Sequence, residues 1–131
     1  MKFYSFLTQE ERRESGGSCF IEIQFCRMKP TATVKQIVAV SSIEDWKGDS
    51  LYICDDDMNV FYDEYSTIFD CGTYNNLDCG KIDMCGINYY DPNSIEPIIE
   101  KILATTPSDY KVIISWLSKA KYYNGFYILG V

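Results

Sequence analysis

The sequence predicts an α+β fold, and three observations carry the prediction. Cys19, Ile21, Ile23 and Phe25 alternate with Phe20, Glu22, Gln24 and Cys26, the period of a strand with one apolar face. After Asp91 the period changes: Ile95, Ile98, Ile99, Ile102 and Leu103 recur at helical spacing, and a second helical stripe follows directly. The chain then ends on FYILGV, apolar enough for a central strand. The sum is a mainly antiparallel sheet of about five to seven strands, with two consecutive C-terminal helices packed on one face and a closing C-terminal strand. With 131 residues and no repeat, low-complexity tract or linker-like shift in composition, the chain reads as one domain over 1–131.

The elements follow in order. Lys2–Leu7 reads as a first strand, and TQEERRESGGS as a polar connection with room for a helical turn between Thr8 and Glu14. The alternating strand stops at MKPTAT, since proline cannot donate to a ladder. VKQIVAV, residues 34–40, is rich in β-branched residues and reads as the next strand. SSIEDWKGDS is a loop or a single helical turn closed by Gly48, with Trp46 more readily a cap on the core than a surface residue.

LYIC (51–54) and VFYDEYSTIF (60–69) then read as the arms of a hairpin around DDDMN. That reading puts Phe61, Asp63, Tyr65, Thr67 and Phe69 on one face and Val60, Tyr62, Glu64 and Ile68 on the other. CGTYNNLDCG carries the turn residues Gly72, Asn75, Asn76 and Gly80. KIDMCGINYY is a further strand, with a bulge or close backbone approach at Gly86.

Asp91, Asn93 or Ser94 caps the first long helix, whose first turn tolerates Pro97. The second begins at TPSD, with Thr106 as cap, Pro107 at the first helical position and Asp109 as the capping-box acid. Its stripe is Tyr110, Ile113, Ile114, Leu117 and Ala120, widened by Val112 and Trp116, and Asn124-Gly125 ends it.

Composition narrows the function. The net charge of −7 is concentrated: residues 43–91 hold twelve acids against Lys47 and Lys81 alone. Such a segment repels nucleic acid and attracts a basic partner. The start MKFYSFLTQEERRE lacks the long apolar region and cleavage site of a secretory signal, and no window approaches the roughly 18 apolar residues of a membrane span. The expectation is a cytoplasmic protein with reduced thiols and no membrane partner. Histidine is absent, which removes the commonest general base and metal ligand. No catalytic residue and no cofactor is expected.

Two cation sites are testable on spacing. Cys71, Cys79 and Cys85 follow C-x7-C-x5-C, where structural zinc wants four ligands on tight knuckles. These cysteines read as small residues beside turn glycines, and Asp70, Asp78 and Asp83 would raise a neighbouring thiol's pKa. Asp55, Asp57 and Asn59 match the first ligand positions of an EF-hand, but Val60 and Ser66 stand where glycine and glutamate are required. No metal ligand is assigned.

What remains is a surface. Asp55, Asp56 and Asp57 crowd one tip, Tyr62, Asp63, Glu64 and Tyr65 follow, and Asp70, Asp78 and Asp83 extend the acidity. Rings serve as anchors and carboxylates accept charge-assisted hydrogen bonds from Arg and Lys. In the DDD of 55–57, the YDEY of 62–65 and these later aspartates, the chain resembles the immunity proteins of bacterial polymorphic-toxin and contact-dependent growth-inhibition systems. That resemblance, in type and without a shared motif, implies a small α+β protein that binds and neutralises a cognate toxin domain, in many cases a basic nuclease. The alternative reading is a small ligand-binding domain or a non-histidine enzyme with carboxylates and tyrosines in a pocket.

Overall fold

A computed structural model describes residues 1–15, 20–44 and 46–130. Cys19 of the alternating strand, Gly16–Ser18 of the polar connection, Asp45 and Val131 lie outside the described residues. The fold is α+β, with one antiparallel sheet of six strands: β1 (Phe20–Phe25), β2 (Leu51–Cys54), β3 (Gly72–Thr73), β4 (Cys79–Gly80), β5 (Ile87–Tyr90) and β6 (Phe126–Gly130). The spatial order is β2-β1-β6-β5-β3-β4. The closing strand is central, pairing with β1 from Ile21↔Gly130 to Phe25↔Phe126 and with β5 from Ile87↔Leu129 to Tyr90↔Phe126.

Alternation assigns the two faces of the sheet. Ile21, Ile23, Phe25, Tyr90, Phe126 and Ile128 point into the main core. They meet α3 (Met58–Tyr65), α4 (Ile95–Thr105) and α5 (Tyr110–Ala120). The expected C-terminal helices are both present. α4 buries Ile95, Ile98, Ile99 and Ile102, while Leu103 is exposed. α5 buries Ile113, Trp116, Leu117 and Ala120. Trp116 stacks on Phe25 at 4.1 Å, and its indole N–H donates to the Asp49 carbonyl at 2.8 Å.

The opposite face carries Tyr89, Tyr127 and Leu129, covered by Ile37 and Val38. Beside them Phe6, Phe20 and Tyr52 form a second cluster, against which Trp46 and Cys54 pack. Trp46 is half-buried there.

Several expectations are corrected. The 34–40 stretch is α2 (Val34–Ile37) followed by a 3-10 turn, Val40–Ser42. A Thr33–Gln36 capping box starts that helix, and two satisfied N–H groups outweigh β-branched propensity. The 60–69 hairpin arm is helical as far as Tyr65 and then a turn: Phe61, Tyr65, Ile68 and Phe69 recur at i, i+4, i+7 and i+8, and all four are buried. Residues Asp55–Asp57 are accordingly a 3-10 turn leading into α3, where acidic side chains complement the positive end of the helix dipole.

The expected first strand reduces to a bridge, Tyr4↔Tyr52, and the turn at Thr8 is a true helix, α1 (Gln9–Glu14). In KIDMCGINYY only Ile87–Tyr90 is strand. Thr106 and Asp109 both take positive φ in the α4–α5 turn, and Asp109 accepts from the Phe3 N–H instead of capping α5. Asp91 is the side chain that caps the α4 region, accepting from Ser94. In the β3–β4 turn the positive-φ residue is Leu77, not an asparagine or glycine. Among the described residues no helix is long and apolar enough to cross a membrane.

Candidate functional site

The acidic residues sort by what holds them. β2 delivers the chain to its end at Cys54, and Asp55 and Asp56 follow as exposed side chains. Asp57 is half-buried and accepts from the Lys2 N–H at 3.2 Å. These aspartates, with Tyr4, Ser15 and Cys54, line a depression of about 270 Å³. Burial, then Asp57 and Asp56, push the Cys54 thiol up, which disfavours thiolate chemistry there.

The outer side of α3 continues this surface. Asp63 is exposed, and Val60 and Tyr62 are about two-fifths exposed, at 41% and 39%. Its inner side does not. Tyr65 is fully buried and its hydroxyl donates to the Ser108 carbonyl at 2.6 Å. Glu64 is half-buried, with Oε1 accepting from the Ser108 N–H at 3.3 Å. These two residues clamp the α4–α5 turn and are removed from a docking face. The hairpin reading put them on opposite faces and the surface reading counted both, because a period of 2 was applied to a segment whose period is 3.6.

The later aspartates are locally engaged. Asp70 pairs with Lys101 at 3.1 Å. Asp78 closes the β3–β4 turn, its N–H donating to Asn76 Oδ1 at 2.9 Å. Asp83 Oδ1 accepts from the Cys85 N–H at 2.9 Å. Tyr74 donates its hydroxyl to the Lys81 carbonyl, and burial and then Asp83, Cys79, Tyr62 and Asp78 push its phenol up. Cys71, Cys79 and Cys85 are all exposed, and the Cys71 thiol is pushed up by burial and Asp70. Among the described residues no group of three His, Cys, Asp or Glu side chains is placed to hold a metal ion.

The structure therefore assembles a ridge from Asp55, Asp56, Asp57, Val60, Tyr62 and Asp63.

A second feature went unread in the sequence. On the sheet face away from α4 and α5, a cavity of about 500 Å³ opens between α1, the segment that carries Val40, Ile43, Glu44 and Trp46, and strands β1, β5 and β6. Its apolar wall includes Val40, Ile43, Ile87 and Leu129, with Trp46 beside them. Its charged wall is Arg12, Glu22 and Glu44. Glu22 is buried, and its Oε2 accepts from Ser50 Oγ at 2.7 Å, Gln24 Nε2 at 3.1 Å and the Lys47 N–H at 3.2 Å. Glu44 faces Lys47 at 3.4 Å and Arg27 at 3.9 Å. Arg12 instead lies over the rings of Phe20 and Tyr52, at 5.6 and 5.9 Å. The pieces come from six separated segments. The one local signal was T-x-x-E at Thr8–Glu11, whose hydroxyl caps α1 and so places Arg12.

No protein-family model, curated protein or solved structure matches the chain.

Proposed function

We propose that the protein binds and neutralises a basic partner domain, of the toxin–immunity kind, through the ridge formed by Asp55–Asp57 and the outer side of α3. One observation carries the reading. The five ion pairs among the described residues use Glu44, Asp49, Asp70 and Glu96, and none uses Asp55, Asp56 or Asp63. Like charges crowd one exposed turn without an internal cation, beside half-exposed Val60 and Tyr62. A basic surface would relieve that repulsion and cover the apolar pair together. Long-range attraction accelerates encounter, while the apolar contacts set how long the complex lasts.

The partner to test is the product of the adjacent upstream reading frame, with binding kinetics measured at low and high salt. Replacing Asp55, Asp56 and Asp57 with asparagine should slow association about tenfold at low salt and flatten the salt dependence. Tyr62→Ala should act chiefly on dissociation. Unchanged affinity and salt dependence in the triple variant would remove the ridge from the interface.

A further inference from the structure

The cavity on the other sheet face is unused by this reading, and its chemistry is different. Its volume, about 500 Å³, falls within the roughly 300–1,000 Å³ range of small-molecule sites. Its carboxylates are compensated: Glu22 by three donors, Glu44 by two cations. Its one cation is not. Arg12 takes part in none of the ion pairs among the described residues, and its Nε is buried without a hydrogen-bond partner. The indole N–H of Trp46, on the same wall, is likewise buried without a partner.

Buried donors without partners are costly, and an acceptor in the cavity relieves that cost once either side chain turns toward it. An uncompensated guanidinium beside an apolar wall selects an anion with an apolar body. Its aromatic support on Phe20 and Tyr52 leaves the charge to be met from the cavity side.

We propose that this cavity binds a small monocarboxylic acid with an aromatic or branched apolar body. The carboxylate accepts from Arg12 and the body lies along Val40, Ile43, Ile87 and Leu129. Half-buried Arg12 and Trp46 adjust their rotamers to present donors that are closed to water in the ligand-free arrangement.

The test is amide and indole N–H chemical shifts of the whole chain, titrated with 3-phenylpropanoate, its neutral amide 3-phenylpropanamide and its cationic relative 3-phenylpropylamine. The acid should shift the Trp46 indole and the Gly86 and Gly130 amides saturably, leaving the Trp116 indole in place. The amide should bind at least about tenfold more weakly, as should the acid to Arg12→Gln. Val40→Phe, at a position 71% exposed and so tolerant of substitution, should fill the mouth and abolish the response. The proposal is overturned if the acid produces no saturable shift, if acid and amide bind alike, or if the amine binds as well as the acid. The three ligands are compared on the unaltered protein, so the outcome does not depend on any variant folding.

Discussion

Raising the pH should unfold this protein in a cooperative step, and the buried tyrosines set where. Tyr52, Tyr65, Tyr89, Tyr90 and Tyr127 are each at most 4% exposed. All five phenols are pushed up by burial, the largest cause in every case. Glu22 adds to it at Tyr52, Glu64 at Tyr65, Cys26 at Tyr89 and Tyr127, and Cys71 at Tyr90. An unfolded chain releases these protons near the ordinary phenol value of about 10, whereas the folded chain retains them. Their contribution to stability is therefore whole below about pH 10 and is lost as pH rises above it. Each phenol that only the unfolded chain ionises removes about 1.4 kcal/mol per pH unit, and the five together about 7 kcal/mol per unit. A domain with a total of about 5–15 kcal/mol then unfolds within about one to two units above pH 10. Far-ultraviolet circular dichroism and tyrosinate absorbance, followed across the alkaline range, should change together in that step. Tyr90→Phe should lower the steepness by about one proton in five. Smooth ionisation of all eleven tyrosines near pH 10 with dichroism unchanged would refute the reasoning.

Two substitutions probe the centre of the sheet. Gly125, with φ +80°, stands where a Cβ would strike the Tyr90 carbonyl, so Gly125→Ala should cost about 3 kcal/mol or more in denaturant titration. Asn88 is fully buried, accepts from the Asp83 N–H at 2.8 Å and donates at 2.9 Å to the Asp83 and Ile128 carbonyls. Asn88→Ala leaves three backbone groups without that partner and should cost about 3 kcal/mol; a loss below about 1 kcal/mol would mean that water replaces it.

What was legible in the sequence follows from how far each signal reaches. β1, α4 and α5 show full periods within their own residues and β6 a continuous apolar run, and buried Ile95, Ile98, Ile99 and Ile102 satisfy the α4 stripe directly. α3 was misread because Val, Phe, Tyr, Thr and Ile are common in strands, while its stripe of Phe61, Tyr65, Ile68 and Phe69 continues past the end of the helix at Tyr65. α2 is one turn long, and its capping box was a clearer guide than its β-branched residues. At the ridge, the aspartates at 55–57 were visible as a cluster. The removal of Glu64 and Tyr65 was not, because their partner Ser108 lies more than forty residues away. The cavity was invisible for the same reason, being made by tertiary pairing of short pieces.

The abundance of tyrosine, which in the sequence suggests an adhesive surface, has mainly an interior cause. All five buried phenols donate to a backbone carbonyl, and each acceptor lies outside the strands. Tyr52 reaches Lys47 at 3.0 Å, Tyr65 Ser108 at 2.6 Å, Tyr89 Asn124 at 2.7 Å, Tyr90 Phe69 at 3.3 Å and Tyr127 Ile37 at 2.7 Å. The carbonyls belong to turns, loops and the end of a short helix, where the backbone has no ladder partner of its own. A ring fills the core and a hydroxyl at its far end satisfies the connection that crosses it, which phenylalanine cannot do. Four of the five phenols stand on strands and the fifth on α3, so the central layer anchors its own connections. Tyrosine content is therefore no measure of stickiness in this fold. On the acidic ridge the case for an aromatic anchor rests on Tyr62, which reaches solvent, and Tyr62→Ala separates that role from the structural work of the buried five.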